Sequence, residues 1–236
     1  MVKRVAAIYD IHGNVAALNA VLQDIQSCDV DTIVIGGDLA WGPQPLQVME
    51  RVMALKGNVH FIKGNADREV GERYGVEQGL DEWVATINQW CSDQLTPSQI
   101  AFLNHLEKQV SLTIDGMGEV LFVHGSPRSD EEAIRKATSE QEIEPMIQSV
   151  KQAILVCGHT HVQFDRMVCD KRIINAGSVG LQSAAKGACW ALLGPHVDLR
   201  QTDYDVHAAA EHIRQSGVPM ASEFADHILN PPNEGP

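Results

Sequence analysis

The chain is short of positive charge, of paired cysteines and of long apolar runs. Lysine and arginine total 18 against 31 acidic residues, a formal charge of −13 over 236 residues. Such a chain gains nothing from the general attraction that binds polyanions, so no stable nucleic-acid partner is expected. No apolar stretch approaches the roughly 20 residues a bilayer span requires, so no membrane partner is expected either. The N-terminus carries Lys3 and Arg4, but Asp10 and His12 interrupt the apolar run behind them too early for a secretory signal. Cys-x-x-Cys is absent. The cysteines, Cys28, Cys91, Cys157, Cys169 and Cys189, are odd in number and scattered, and read as free thiols of a reducing compartment, the cytoplasm.

What is present is 44% hydrophobic residues in a length suited to one substantial core, so residues 1–236 are expected to form a single domain. Short apolar runs alternate with amphipathic stretches. Val5–Tyr9, Thr32–Ile35 and Val59–Ile62 read as buried strands; Val15, Leu18, Leu22 and Ile25, capped by Asn14, and Leu46, Met49, Val52 and Met53 read as helices between them. That order implies a sheet with crossover helices. Residues 66–108 read as helical, with a Thr96-Pro97-Ser98-Gln99 capping box, and form either a cap near the expected active site or an ordinary pair of surface helices. Val110–Ile114 and Glu119–Val123 read as a hairpin, and Ser129 to Glu132 as a capping box opening a helix. Ile154–Cys157, Phe164–Val168, Arg172–Asn175, Ala188–Leu193 and Val197–Thr202 are further strands, Val206–Arg214 a final helix, and 230–236 a disordered tail. The sum is two packed sheets flanked by helices.

Five motifs share one design: Asp10-Ile11-His12-Gly13, Gly37-Asp38, Gly64-Asn65, His124-Gly125 and Gly158-His159-Thr160-His161 each follow an apolar run and sit in a turn that glycine permits. Strand ends at one sheet edge converge, and Asp-x-His or His-x-His in extended backbone points two side chains the same way. Carboxylate and imidazole suit Mn, Fe, Zn or Ni better than Ca or Mg. Asp10, His12, Asp38, Asn65, His124, His159 and His161 are too many for one ion and suit two, with one carboxylate shared. Such a pair ionises a water near neutral pH for in-line attack on phosphorus. Singly, Gly-Asp and Gly-Asn are turn chemistry; all five motifs in order are not. His60, His105, His196, His207, His212 and His227 are assigned no chemistry.

These motifs, with Gly64-Asn65-Ala66-Asp67, Val123-His124-Gly125-Ser126-Pro127 and Asn175-Ala176-Gly177-Ser178-Val179-Gly180, resemble the calcineurin-like metallophosphoesterases, in particular their compact bacterial and archaeal phosphodiesterase branch. The resemblance covers nearly the whole chain. It implies an α/β fold, a four-layer α/β/β/α sandwich of two mixed sheets. It implies two divalent transition-metal ions, manganese first. Asp10, His12 and His161 would hold one, Asn65, His124 and His159 the other, and Asp38 would bridge; Asp38, Asn65 and His124 would serve catalysis. Many relatives carry a histidine after the Gly-Asn that protonates the leaving group. Here Ala66 stands there and has no proton to give, which favours esters with good leaving groups, such as aryl diesters or nucleotide anhydrides. Asp67 is a substitute acid, or else orients loop backbone. Asn65 and Arg128 are candidate substrate contacts, Arg128 alternatively pairing with Asp130 or Glu131 at the surface. Trp41 either stacks on a base or aryl group or packs its loop; Ser178 serves the turn at Gly177. The expected partner is a small phosphate ester or nucleotide, hydrolysed by a phosphodiesterase. A phosphomonoesterase or Ser/Thr protein phosphatase is the rival enzyme, and a silent scaffold on the same fold the rival of another class.

Overall fold

A computed structural model describes residues 1–236. One sheet, ordered β10-β9-β1-β2-β3, contains β1 (Val5–Ile8), β2 (Thr32–Ile35), β3 (Asn58–Phe61), β9 (Ala188–Leu193) and β10 (Val197–Thr202). The other, ordered β4-β5-β6-β8-β7, contains β4 (Gln109–Ile114), β5 (Gly118–Val123), β6 (Ile154–Cys157), β7 (Phe164–Val168) and β8 (Lys171–Asn175). Both are mixed. In the first, β1, β2 and β3 run parallel; in the second, β5, β6 and β8 do.

Side-chain alternation explains the layering. Val5 and Ala7 of β1 face inward, where they meet Val120 and Phe122 of β5 and Ile154 and Val156 of β6 in a core between the sheets. Ala6 and Ile8 face the other way, against α1 (Val15–Gln26), α2 (Pro45–Met53), α7 (Val206–Arg214) and α8 (Ala221–Leu229). Leu121, Val123, Leu155 and Cys157 line the outer face of the second sheet under α6 (Glu140–Ile147). Strands buried on both faces read as unbroken apolar runs, as β1 and β6 do. The eight helices are completed by α3 (Asn65–Gly71), α4 (Glu82–Gln94) and α5 (Pro97–Asn104), the last opened by the Thr96–Gln99 box. No helix is long and apolar enough to cross a membrane.

Three expectations are corrected. No helix begins at Ser129: Glu132 is instead held by Arg128 and Ser126 Oγ, and the capping box belongs to Ser139 and Glu142, at the start of α6. Val206–Arg214 is not the last helix, since α8 follows; its N-cap, Met220, has a left-handed backbone and no side-chain cap, so the usual start signal is missing. The stretch 230–236, expected to be disordered, packs on the body. The Pro232 carbonyl accepts from Ala184 N (2.7 Å), the Pro236 carbonyl accepts from Arg135, and a Cβ on Gly235 would fall 1.7 Å from the Thr160 carbonyl oxygen. Its Pro-Gly composition reads as disorder, yet glycine is what permits that approach.

Candidate metal centre

The five motifs lie where the parallel strands end. Asp10 and His12 follow β1, Asp38 follows β2, Asn65 opens α3 after β3, His124 follows β5, and His159 and His161 follow β6. Carboxyl ends of parallel strands bring separate loops to one crevice. The loops are wound tightly enough to hold side chains in the left-handed region: φ is 55° at Asp10, 46° at His12, 56° at Asp38, 65° at His159 and 58° at His161. Non-glycine residues there cost on the order of 1–2 kcal/mol each, and strain of this kind collects at functional sites. Gly37 is needed for a different reason. Its φ is 102°, and a Cβ would stand 2.7 Å from His124 Nδ1 and 2.6 Å from Gly64 N.

The ligand atoms gather in two groups, Asp10, His12 and His161 in one, and Asp38, His124 and His159 in the other, each within 4.8 Å. His12 Nε2 and His161 Nε2 are 3.0 Å apart, the separation of two nitrogens at right angles around an ion about 2.1 Å from each. Asp38 Oδ2 stands between the groups, 3.6 Å from His12 Nε2 and 3.4 Å from His124 Nε2. Asn65 Oδ1 lies 3.2 Å from His124 Nε2, so Asn65 belongs with the second group.

The far side of each ring decides which nitrogen is free. His12 Nδ1–H donates to the Trp41 carbonyl (3.1 Å), His124 Nδ1–H to the Gly36 carbonyl (2.8 Å), and His159 Nε2–H to the Glu131 carbonyl (3.1 Å). Each thereby keeps its other nitrogen for the cluster, the one a metal ligand must offer. Asp10 Oδ1 is buried with no hydrogen-bond partner, 3.7 Å from His161 Nε2. A bare buried carboxylate oxygen among imidazoles is costly unless a cation meets it, so the donor set fits divalent metal ions.

The charges respond accordingly. Burial pushes His12 and His161 down, and His159 to about 4, so all three are neutral and free to ligate. His124 goes the other way. Burial opposes its charge, but Asp38 and Asp10 outweigh burial and push it up to about 10. Asp10 is raised well above the usual carboxylate range, first by burial and then by Asp38. Among the protein groups alone, carboxylates this close are not all comfortably ionised.

Supporting residues emerge, of which Glu69 and Arg68 were not singled out from the sequence. Glu69, one turn beyond Asn65 on α3, accepts from Asn65 Nδ2 (3.2 Å) and so aims Oδ1 at the cluster; Asn88 Nδ2 holds its other oxygen (3.3 Å). The i, i+4 spacing was the available signal. Arg68 forks onto Asp130 and also reaches Glu131 (2.7 Å), whose carbonyl holds His159. Asn175 Nδ2 ties down the Gly158 carbonyl (2.7 Å) and Thr160 Oγ1 (3.0 Å). Ser178 Oγ donates to the Asp10 carbonyl (2.8 Å), so it secures the Asp10 loop as well as its own turn.

Two residues had alternative roles, and for each the contacts favour the structural one. Asp67 is wholly buried, and its oxygens accept from the backbone N–H of Asp38 (2.8 Å), Leu39 (2.8 Å) and Gly64 (3.0 Å). It shapes the Asp38 loop and does not reach the cleft to give up a proton. Arg128 does not line the main cleft over the metal groups but a smaller recess that reaches His124, with Lys63, Arg68 and Lys108; Glu132, rather than Asp130 or Glu131, holds its guanidinium, with Nε 2.8 Å from both carboxylate oxygens. Conversely His227, given no role from the sequence, does line that cleft, together with Trp41, Ala66 and Glu69.

The sequence profile of the calcineurin-like phosphoesterase superfamily domain matches residues 4–196. The chain is 26% identical to an uncharacterised protein of Methanocaldococcus jannaschii over 240 aligned positions, 91% of this chain and 93% of that protein. It is similar to the crystal structure of a hypothetical protein from Pyrococcus horikoshii, with TM-score 0.83 at 21% identity, over 95% of this chain and 97% of that one. A metallophosphoesterase from Sphaerobacter thermophilus superposes with TM-score 0.74 at 25% identity, over 97% of this chain and 99% of that one. With the profile spanning nine of the ten strands and every ligand-bearing strand end, the chain belongs to the calcineurin-like phosphoesterase superfamily.

Proposed function

We propose that the protein is a dinuclear-metal phosphodiesterase acting on small or nucleotide-like phosphate esters. The observation that carries this reading is the opposed pair of ligand groups sharing Asp38 Oδ2, with three of their histidines locked by backbone carbonyls into the ligating tautomer. Two divalent cations held there, manganese or another of Fe, Zn and Ni, would ionise a water near neutral pH and neutralise phosphoryl oxygens. Asp10, His12 and His161 would hold one, Asn65, His124 and His159 the other, and Asp38 both. Asn65, aimed by Glu69, also stands at the cleft to contact phosphate.

The cleft wall favours a diester over a monoester or phosphoprotein. It is a cavity of about 560 Å³ whose lining includes Glu69 and Glu234 but neither lysine nor arginine. A monoester dianion would find no cation there besides the metals, whereas a diester carries one charge fewer. Ala66 at the same wall supplies no proton, which favours leaving groups that depart as stable anions. Every ligand position is filled, which speaks against a silent scaffold. The five free thiols suit a cytoplasmic setting.

The test is a panel of aryl diesters, aryl monoesters and dinucleoside polyphosphates, run on metal-reconstituted wild type and Asp38→Ala, with metal content measured in parallel. Diester turnover should lead the panel. Asp38→Ala should lose turnover by on the order of a thousandfold or more, beyond the 10–100-fold typical of a supporting partner, and should retain less metal while its circular dichroism is unchanged. Full activity in that variant would refute the shared-carboxylate centre.

A further inference from the structure

The cleft over the ligand groups does not end at them. It continues into a side pocket of about 250 Å³, and Trp41, Trp83, Leu181 and His227 line both. Ile87 and Phe224 close the side pocket, and Met220 and Trp83 form its mouth. Met220 and Trp83 are among the few large apolar side chains left in contact with solvent, at 40% and 48% exposure. Met220 holds that place with φ at 61°, a conformation an unbranched side chain adopts only at a cost.

The aromatic rings are arranged edge to face rather than collapsed on one another. Trp41 stands 6.4 Å from Trp83 and 5.3 Å from Phe224, and 5.5 Å from the ring of His12. His12 also donates to the Trp41 carbonyl, so the pocket wall and a metal ligand are one connected unit. Exposed aromatic faces next to a reaction centre take up flat rings, because stacking removes apolar area from water on both partners. A volume of about 150 Å³ suffices for benzene, so one aryl ring or pyrimidine base fits.

We propose that this side pocket binds the planar aromatic ring of one arm of the diester, the arm that does not leave. This rests on the phosphodiesterase reading, and it names what that reading leaves open: a monoanionic diester whose retained arm is a nucleoside or aryl group. Trp83 is the specificity-determining face, and Trp41 fixes the distance from ring to phosphate. The surrounding carboxylates, Glu223 in the side pocket and Glu69 and Glu234 in the cleft, set a charge limit: further phosphates on the retained arm are repelled.

Three substrates share the 4-nitrophenolate leaving group and a single negative charge: its methyl diester, its bis-aryl diester and its thymidine 5′-diester. The manganese-loaded wild type should show a KM for the last two roughly tenfold below that for the methyl ester, the order of one base–tryptophan stack. Trp83→Ala should erase that difference, bringing the KM values of the two ring-bearing esters up to that of the methyl ester, and Trp83→Phe should restore most of it. Preference for only one of the two ring-bearing substrates would identify the ring. In parallel, saturation-transfer NMR should detect free thymidine and 4-nitrophenol on the wild type, with the signal lost in Trp83→Ala. If the esters are hydrolysed without preference, or the preference survives Trp83→Ala, the pocket assignment is overturned and the phosphoesterase reading stands. If none is hydrolysed yet a ring still binds through Trp83, the reaction is wrong and the pocket is right. Absence of any ring signal on the wild type also overturns the pocket.

Discussion

The two walls of the cleft are built by opposite means. The metal wall comes from strand ends: short loops, left-handed backbone, buried carboxylates and imidazoles, and at Asp10 Oδ1 a buried oxygen with no partner. The facing wall comes from the loop after β2, from α4, from α8 and from residues 232–236, and offers tryptophan, leucine, valine and proline with a few carboxylates. One wall gathers strain and charge fit to hold ions; the other is mainly apolar. On the proposed reading, chemistry and substrate choice fall mainly on separate segments, joined where His12 meets the Trp41 carbonyl.

The sharpest way to break this division is at Asp67, which belongs to the metal wall without touching the cleft. Three backbone N–H groups converge on its carboxylate. An asparagine presents an amide where at least one of them needs an acceptor. Leaving a buried donor unpaired costs about 1–3 kcal/mol, so Asp67→Asn should lower urea-unfolding stability by on the order of 2–3 kcal/mol. It should also loosen the Asp38 loop and metal retention with it. If Asp67 were instead the acid that protonates the leaving group, Asp67→Asn would keep its stability and lose only the high-pH limb of the rate profile.

A second difference between the walls is their response to pH. His124, held up to about 10 by Asp38 and Asp10 against its burial, is protonated at neutral pH until a metal displaces the proton. The sign follows: metal competes with the proton, so affinity rises with pH toward 10, by up to about tenfold per unit for each proton released. Calorimetric titration with manganese in buffers of different ionisation heat should report at least about one proton released at pH 7. Thymidine binding in the side pocket meets no such group and should stay flat from pH 7 to pH 9. Metal binding without proton release would place the ion away from His124.

The same division marks what the sequence reveals. Each metal motif is local: an apolar run, a glycine turn, then the ligand, so chain order alone places the ligands at strand ends. Both sheets were legible for the same reason, as were the Asn14 cap and the Thr96–Gln99 box. The facing wall was not. Trp41, Trp83 and His227 come together from distant segments, and helical spacing says which face of a helix is apolar but not which cleft it borders. Ser129 and Glu132 satisfied a capping pattern, yet Ser129 Oγ accepts from Glu131 N (3.1 Å) and Glu132 is taken by Arg128. A capping pattern yields when its side chains find other partners among near neighbours in the chain.

Arg128 gives the smallest expected effect and the cleanest control. From the sequence it was either a phosphate contact or a surface partner of Asp130 or Glu131. In the fold it stands half-exposed, with Glu132 across its fork and the Pro145 carbonyl on Nη1 (3.1 Å). Its guanidinium is already satisfied, and turning it toward the cleft would abandon those bonds. Arg128→Ala should therefore change KM for every diester by less than about twofold, as expected when an exposed ion pair is removed. The variant should not distinguish the methyl from the thymidine ester. A uniform rise in KM across the panel would mean that Arg128 releases Glu132 and reaches phosphate after all, and the metal wall would then include a cation that the resting arrangement turns away.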